Sequence, residues 1–434
     1  MFTLFRLFTL VLCLIFSSLA SAAATSNIPI SGYSNSPNMA AFDQKFINLM
    51  RKWSLPGAAL VVIRNGQVIA ARGYGWADVS RQEQVQPDSL FRIASVSKTF
   101  TAVSILKLAQ EHRLNLDDKV FYILNDLKPL NGLAVNPAIY QITVRNLLQM
   151  SSGWFAPGSH FDPLFGPWGG RMRTTLNPEL PASCETTTRY MMSMPLKRKP
   201  GSAYYYSNLD YCILGLIVDK VTGSKYGYLG YQYFVKSHIL APLQIQDMAI
   251  GSTQLKYRLP KEVHYYREPG AFGMQELANS FYFPYSTAEI LRKNFGNGGW
   301  VASALDLAKF IQALNNGQIL DSATLNVMRS KPAFVKSGGS VVVKSTKKSG
   351  KKKGKTVTVP AASGGGKYYT MGGIIYNIGG KMYWVQTGSF TGTNALIVTK
   401  PDNTTIAVIF NTRPSGLLSR LRPELRQMLM SSDF

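Results

Sequence analysis

The sequence predicts an α+β fold: an antiparallel sheet flanked by helices, with a mostly helical lobe inserted between its early and late strands. Three observations predict it. Near the start, a helical pattern runs into two short apolar segments joined by Asn65-Gly66, a strong hairpin signal. Near the end, four β-prone segments are separated by Gly379-Gly380, Gly388 to Gly392 and Pro401-Asp402-Asn403, which reads as an antiparallel meander. Between them, helical pieces are broken by Pro- and Gly-rich loops, as at Ala156 to Gly170. The 434 residues, 46% hydrophobic and 12% aromatic, suffice for a large core in two closely joined lobes. The expected division is 37-114 plus 297-434 for the α/β lobe and 115-296 for the helical lobe.

Residues 1-22 read as a cleavable signal peptide. Arg6 gives a positive start, Leu7 to Phe16 is an apolar run too short to span a bilayer, and Ala20-Ser21-Ala22 supplies a cleavage site, with Ala23 or Ala24 as nearby alternatives. Cys13, between Leu12 and Leu14, is a poor lipoprotein site. No later stretch looks transmembrane, so a secreted or periplasmic chain is expected.

Pro37 opens a helix in which Phe42, Phe46, Leu49, Met50 and Trp53 share one face, and Pro56-Gly57 ends it. Ala59 to Ile63 and Val68 to Ala71 are the hairpin strands. A helix then starts at Ser95, with Val103, Leu106 and Leu108 continuing its apolar pattern. Thr143 to Met150 is a short capped helix ending near Gly153, and Leu209 to Val221 a longer one ending at Gly223. Ser303 caps a helix through Asn315, with Leu307, Phe310, Ile311 and Leu314 inward. Tyr368 to Tyr376, Lys381 to Thr387, Thr393 to Thr399 and Thr404 to Asn411 form the meander, and Leu417 to Met430 a final amphipathic helix.

The net charge of +24 is unevenly spread: a basic insertion at 336-367 holds nine lysines and no acidic residue, and the rest of the chain is still basic. Val341 to Val343 and Thr356 to Val359 are β-prone arms around its Lys/Gly/Ser tip, so a protruding hairpin and a disordered loop fit equally. The charge implies attraction to acidic cell-envelope polymers or lipid headgroups. No nucleic-acid module is visible, so dedicated nucleic-acid binding is not expected. The exported chain keeps Cys184 and Cys212, which read either as one disulfide or as two buried thiols. The histidines His112, His160, His238 and His264 are scattered without ligand spacing to either cysteine. No metal or other cofactor is expected.

Ser95-Val96-Ser97-Lys98 carries the strongest chemical signal. A serine hydroxyl needs a base within hydrogen-bond reach, and a lysine three residues on along a helix lies on the same face. The helix N-terminus adds free N–H groups and a positive dipole end that favour an oxyanion. The same spacing recurs at Ser104/Lys107, Ser345/Lys348 and Ser349/Lys352, so context must distinguish the copies. Tyr206-Ser207-Asn208 stands at a loop-to-helix corner. A tyrosine beside ammonium or helix-dipole charge has a lowered pKa and serves as a base, and Asn208 offers an amide to hold Lys98 and a substrate carbonyl. Gln386-Thr387-Gly388-Ser389 ends a late strand expected to be an edge strand that closes the site. Glycine there admits substrate against backbone, and the Ser389 N–H pairs with the Ser95 N–H as an oxyanion hole.

In this order the blocks resemble the serine β-lactamase/penicillin-binding-protein-like superfamily, in its branch of class C β-lactamases, D-alanyl-D-alanine carboxypeptidases, D-aminopeptidases and family VIII-type esterases. Phe91 to Thr99 looks like its S-x-x-K block, Leu147 to Gly153 like its L-L-x-H-T-S-G segment, and Pro200-Gly201 with Tyr206-Ser207-Asn208 like its P-G…Y-x-N block. Pro56 to Ala59 and Gly73 to Asp78 are similar to its first hairpin. Gly298-Gly299-Trp300-Val301-Ala302-Ser303, with Asp306 and Phe310, is similar to its G-G-x-x-x-[ST]-x-x-D-x-x-x-F block.

The resemblance covers nearly the whole mature chain and implies a β-lactamase/transpeptidase-like fold and a serine hydrolase working through an acyl-enzyme. Ser95 attacks a carbonyl, Lys98 and Tyr206 share the proton traffic, Asn208 orients, and the Ser95 and Ser389 amides hold the oxyanion. Gln386, Thr387 and Gly388 face the substrate.

Two departures stand out. The family's third motif usually begins with Lys or His, whereas this chain has Gln386, which keeps hydrogen bonding and loses the charge. Neutral esters and amides thereby gain over carboxylate-bearing lactams or D-alanyl peptides. Met150 stands where the family has a histidine, in a segment that reads as a structural helix end. The expected partner is therefore a small ester, amide or peptidoglycan-type peptide. The competing expectation is a non-catalytic binding protein on the same fold, gripping acidic cell-envelope polymers with its lysine-rich insertion. A Ser–His–Asp hydrolase is excluded by the lack of a G-x-S-x-G elbow.

Overall fold

The computed structural model describes residues 28–130, 132–155, 163–164, 182–224, 226–270, 273–277, 289–335 and 366–434. The signal peptide expected at 1-22 and the β-prone arms expected at Val341 to Val343 and Thr356 to Val359 lie outside the described residues. So do nearly all of the basic insertion and most of the loop Ala156 to Gly170. No helix among the described residues is long and apolar enough to cross a membrane.

The chain opens with β1 (Ile30–Ser34), then α1 (Met39–Lys52), β2 (Gly57–Arg64) and β3 (Gln67–Asp78). At the expected hairpin turn Asn65 and Gly66 both take positive φ, 51° and 82°, the backbone of a tight primed turn. Then come β4 (Glu83–Gln84), β5 (Leu90–Arg92), α2 (Ser97–Gln110), α3 (Val120–Ile123), α4 (Val144–Leu148), α5 (Cys184–Met191), α6 (Asn208–Val221) and α7 (Tyr228–Val235). The short elements β6 (Ala249–Ile250), β7 (Tyr266–Gly270), β8 (Gly273–Glu276), α8 (Phe295–Gly298) and β9 (Trp300–Ser303) precede α9 (Ala304–Asn315) and α10 (Ser322–Arg329). The chain closes with β10 (Lys367–Tyr369), β11 (Ile374–Ile378), β12 (Lys381–Phe390), β13 (Thr393–Thr399), β14 (Thr404–Phe410) and α11 (Arg422–Ser431).

The main antiparallel sheet runs β1-β3-β2-β14-β13-β12-β11-β10, with β4 beside β3. Its centre is the pairing of β2 with β14, which joins an early strand to a late one in the register Val61↔Ala407. Because side chains alternate across a strand, β2 splits its apolar run between two cores. Ala58, Leu60 and Val62 meet α1 and α11 on one face, while Ala59, Val61 and Ile63 meet the helical side on the other. Burial on both faces explains why β2, β13 and β14 read as unbroken apolar runs.

Helix α2 is buried along nearly its whole length, and α6 is buried continuously from Leu209 to Asp219. Both helices are buried on every side, polar residues such as Thr99, Thr101 and Asp210 included, and they pack together at the centre of the molecule. Caps fix the helix starts. Thr143 and Asn146 form a reciprocal capping box on α4, and Ser207 and Ser303 cap α6 and α9 through their hydroxyls.

Several expectations change in detail. The strand expected from Tyr368 to Tyr376 is two strands, because Thr370 N donates to Gly373 O at 2.8 Å and Gly372 takes a φ of +88°. Segment 115-296 is less purely helical than expected. β6 joins β5 and β9 in a small sheet, and β7 with β8 forms a hairpin. The final helix begins with a wider turn at Leu417–Leu421 before α11. β1 was not foreseen, since its mostly exposed Ile-Ser-Gly-Tyr-Ser sequence carries no apolar alternation. Cys184, at the start of α5, is disulfide-bonded to Cys212 on α6, with the Cα atoms 5.3 Å apart.

Candidate active site

β5 pairs with β9 and delivers the chain to a single tight turn, Ala94–Val96, before α2 begins at Ser97. Ser95 therefore sits just ahead of the helix rather than inside it. Ala94 takes a φ of +46°, in the left-handed region where an alanine is strained. Ile93 N, bonded to Trp300 O at 3.1 Å, holds the entry to this turn, and Ser97 Oγ, accepting from Trp300 N at 3.1 Å, holds its exit. A Cβ at Gly388 would lie 2.0 Å from Ile93 O and 3.1 Å from Val96 N, so only glycine lets β12 press against the turn.

Lys98 is only 1% exposed. Its Nζ donates to Ser95 Oγ at 3.2 Å, Asn208 Oδ1 at 2.8 Å and the carbonyl of Asn297 at 2.8 Å. An ammonium has three protons to donate, and these acceptors come from three separate elements. Tyr206 stands on the other side of the nucleophile. Its hydroxyl and Ser95 Oγ share a hydrogen bond of 2.6 Å, and its ring lies 5.1 Å from Lys98 Nζ. Tyr206 is 42% exposed, so this edge of the site is open. The arrangement comes from the start of α6, where Ser207 is the cap and Asn208 the first helical residue. Ser95, Lys98, Tyr206 and Asn208 are thus brought together. The other Ser-x-x-Lys copies differ in setting: Ser104 Oγ donates to the Phe100 carbonyl inside α2, and the remaining two lie outside the described residues.

The strand carrying Gln386 to Ser389 is internal rather than an edge strand, because β11 and β13 flank β12. Its pairing with β11 nevertheless stops at Val385, so Gln386 to Phe390 pairs with β13 alone. Gln386 is 3% exposed and turns inward. Its Nε2 donates to Gly372 O at 2.8 Å and lies 3.5 Å from Ser95 O, and its Oε1 accepts from the Thr387 amide at 2.9 Å. Thr99 Oγ1 donates to the same Gly372 carbonyl at 2.8 Å. Gln386 therefore ties the Gly372 turn to the nucleophile turn. Thr387 and Ser389 are half-buried, and Gly388 between them lies against the Ser95 turn.

Three supporting groups escape sequence reasoning. Asn297 acts through a backbone carbonyl presented by α8, and its signal was the glycine-rich Gly296-Asn297-Gly298-Gly299, which allows that close approach. Asp210, on the first turn of α6, accepts from Ser207 Oγ at 2.7 Å and Ser152 Oγ at 2.8 Å. Burial pushes its carboxyl up to about 7, against those hydrogen bonds. Arg422, on α11, donates to Asn394 Oδ1 at 3.1 Å and Gly388 O at 3.4 Å. Burial pushes its guanidinium down to about 10, still charged at neutral pH, and Tyr206 acts on it electrostatically. Among the described residues no group of three or more His, Cys, Asp or Glu side chains could hold a metal.

The arrangement can generate an alkoxide-like nucleophile. One hydroxyl is flanked by an ammonium and a phenol, on a turn that leads into a helix N-terminus. A family model for beta-lactamase matches residues 42–427. Protein flp of Staphylococcus aureus strain MW2 is 33% identical over 207 residues, 48% of this chain and 37% of that protein. Esterase EstB of Burkholderia gladioli is 31% identical over 189 residues, 42% of this chain and 45% of that enzyme. Each match thus spans less than half the length of the curated relative. In fold, the crystal structure of D-amino acid amidase from Ochrobactrum anthropi SV3 complexed with L-phenylalanine amide superposes with a TM-score of 0.65 at 21% identity, covering 91% of this chain and 98% of that one. With the motif order, the site geometry and a family match across most of its length, this chain belongs to the beta-lactamase family of serine hydrolases.

Proposed function

We propose that this protein is an exported serine hydrolase that cleaves small esters or amides through an acyl-enzyme on Ser95. The observation that carries the reading is the Ser95 hydroxyl flanked by Tyr206 OH at 2.6 Å and Lys98 Nζ at 3.2 Å. In the first step Ser95 Oγ attacks the substrate carbonyl carbon while its proton passes to Tyr206, acting as the phenolate beside the Lys98 ammonium. The Ser95 and Ser389 amides hold the oxyanion. The tetrahedral species collapses, the C–O or C–N bond breaks, and the leaving group takes the proton. Water then attacks the acyl carbon by the same route in reverse, releasing the acid and restoring the hydroxyl. Asn208 and the Asn297 carbonyl hold Lys98 throughout.

The substrate class rests on two supports. The relatives and neighbours include an esterase and an amidase. The third block, moreover, offers no side-chain cation to a substrate, because an inward-facing Gln386 stands where the family usually has Lys or His. Thr387 and backbone then do the orienting, which favours neutral substrates over carboxylate-bearing lactams or D-alanyl peptides. Export rests on the n-region, short apolar run and small-residue site of 1-22, and the Cys184–Cys212 disulfide is in keeping with an oxidising compartment.

A panel of cephalosporin, D-alanyl peptide and short-chain p-nitrophenyl ester, run on wild type, Ser95→Ala and Gln386→Lys, tests this. The ester should turn over in the wild type and drop by at least about a thousandfold in Ser95→Ala. Gln386→Lys should raise peptide or lactam turnover relative to ester. Equal labelling of wild type and Ser95→Ala by a fluorescent acylating probe would sink the reading.

A further inference from the structure

The mechanism makes no use of Asp210, yet this carboxyl is fully buried at the edge of the site. Burying a carboxylate is costly unless hydrogen bonds compensate. Here one oxygen carries the compensation. Asp210 Oδ1 accepts from Ser207 Oγ at 2.7 Å and from Ser152 Oγ at 2.8 Å, while Oδ2 is buried without a hydrogen-bond partner among the described residues. Ser207 Oγ in turn accepts from Asp210 N at 3.0 Å. The cap serine and the residue three positions on therefore grip each other twice, through the amide and through the carboxyl. A serine cap needs only the first of these bonds.

What the second bond fixes is Ser207, whose two chain neighbours are Tyr206 and Asn208. Tyr206 reaches Ser95, and Asn208 reaches Lys98. Ser152 belongs to the turn after α4, which is laced to the same approach segment by Gly201 N to Ser151 O at 2.8 Å and Tyr205 N to Met150 O at 2.9 Å. Asp210 is the side chain that closes this seam from below.

We propose that Asp210 is a positioning residue that locks Tyr206 and Asn208 as one unit and anchors them to the Ser152 turn. The proposal rests on the reading of Ser95 as the nucleophile. The lock depends on charge, because an ionised carboxyl accepts hydroxyl bonds more strongly than a protonated one. Burial places its titration at about 7, where an activity profile can detect it. Among the described residues, the groups facing it are few. On its own helix Tyr211 couples to it electrostatically and is held neutral by burial. From α2 the charge is Lys98, joined through Asn208. The turn after α4 presents the Ser152 hydroxyl and amide, and α5 joins α6 through a disulfide that does not titrate.

The test is hydrolysis of a p-nitrophenyl ester by the full chain between about pH 5.5 and 9, with kcat and KM separated, for wild type, Ser95→Ala, Asp210→Asn, Asp210→Ala and Ser152→Ala. Asp210→Ala should lower kcat by about tenfold to a hundredfold with KM changed less than about threefold, because a misplaced catalytic group costs turnover more than binding. Asp210→Asn, of the same shape without the charge, should keep kcat within about threefold of the wild type at low pH and lose the inflection near 7. Ser152→Ala should fall between the two aspartate variants. Asp210→Ala with wild-type kcat, or an inflection near 7 that survives in Asp210→Asn, overturns the proposal. If Asp210→Ala does not fold, Asp210→Asn and Ser152→Ala decide, and wild-type behaviour in both overturns it. A Ser95→Ala enzyme as active as wild type overturns the reading of the site, and this proposal with it. Ser95-dependent turnover indifferent to Asp210 overturns the proposal alone.

Discussion

At the scale of single residues, the site is held by groups that satisfy one another. Lys98 spends its protons on Ser95, Asn208 and the Asn297 carbonyl. Lys98→Met should therefore abolish turnover and also leave buried acceptors unpaired, each costing about 1–3 kcal/mol. Urea unfolding of the variant measures the second effect, and a midpoint equal to wild type would contradict it. Gly388→Ala should be worse than a strand alanine ordinarily is, since its Cβ meets Ile93 O at 2.0 Å. Loss of ester turnover with a lowered melting temperature is the expected result. Asp210 adds a pH slope. Its folded carboxyl titrates at about 7 against an ordinary value of 3.8, so the unfolded chain sheds that proton first. Its contribution to stability is complete below about pH 4, is lost as pH rises to about 7, and is flat beyond. A melting-temperature series for Asp210→Asn should lack that slope, and a curve parallel to wild type would refute the assignment.

At the scale of elements, α6 is the hub, since it presents Asn208, carries Asp210 and is stapled to α5 by Cys212. The disulfide closes a stretch of 28 residues, and its loss through Cys184→Ser with Cys212→Ser should cost about 3 kcal/mol in urea unfolding. Asn297 Nδ2 lies 3.7 Å from Cys212 Sγ, so the same variant should also lower ester turnover, a linkage that a purely remote staple would not produce. What sequence reasoning reached among these elements was whatever the side chains announce locally. The Ser303 cap, the Asn65-Gly66 turn, the apolar runs of β13 and β14 and the one-turn spacing of Ser95 and Lys98 are all of this kind. The order of blocks was enough to single out Tyr206 and Asn208. Asn297 was invisible because it contributes a carbonyl that every residue has. The inward turn of Gln386 was invisible because alternation along a strand does not say which face is the site. The split of Tyr368 to Tyr376 was hidden in a run that looks β-prone throughout and turns only at Gly372.

At the scale of the whole molecule, net charge and topology are the governing features. The +24 balance has its densest run in a lysine-rich stretch, and deleting Lys344 to Lys355 removes seven lysines from a chain that stays basic. Binding to an anionic polymer should weaken in that deletion and should fall with added salt in the intact chain, while ester turnover stays unchanged. Unchanged binding after deletion would assign the attraction to the rest of the surface. The pairing of β2 with β14 has a further consequence, for time rather than shape. Residues near 60 must wait for residues near 407 before the middle of the sheet exists, and the nucleophile turn at 95 waits for Gly388 to press on it. Such distant pairings make assembly slow, and a nascent chain carries Ser95 and Lys98 without a working site. Hydrolysis is thus a late reporter: in refolding it should return only after helical signal has recovered, so the protein stays chemically silent until its last strands are in register.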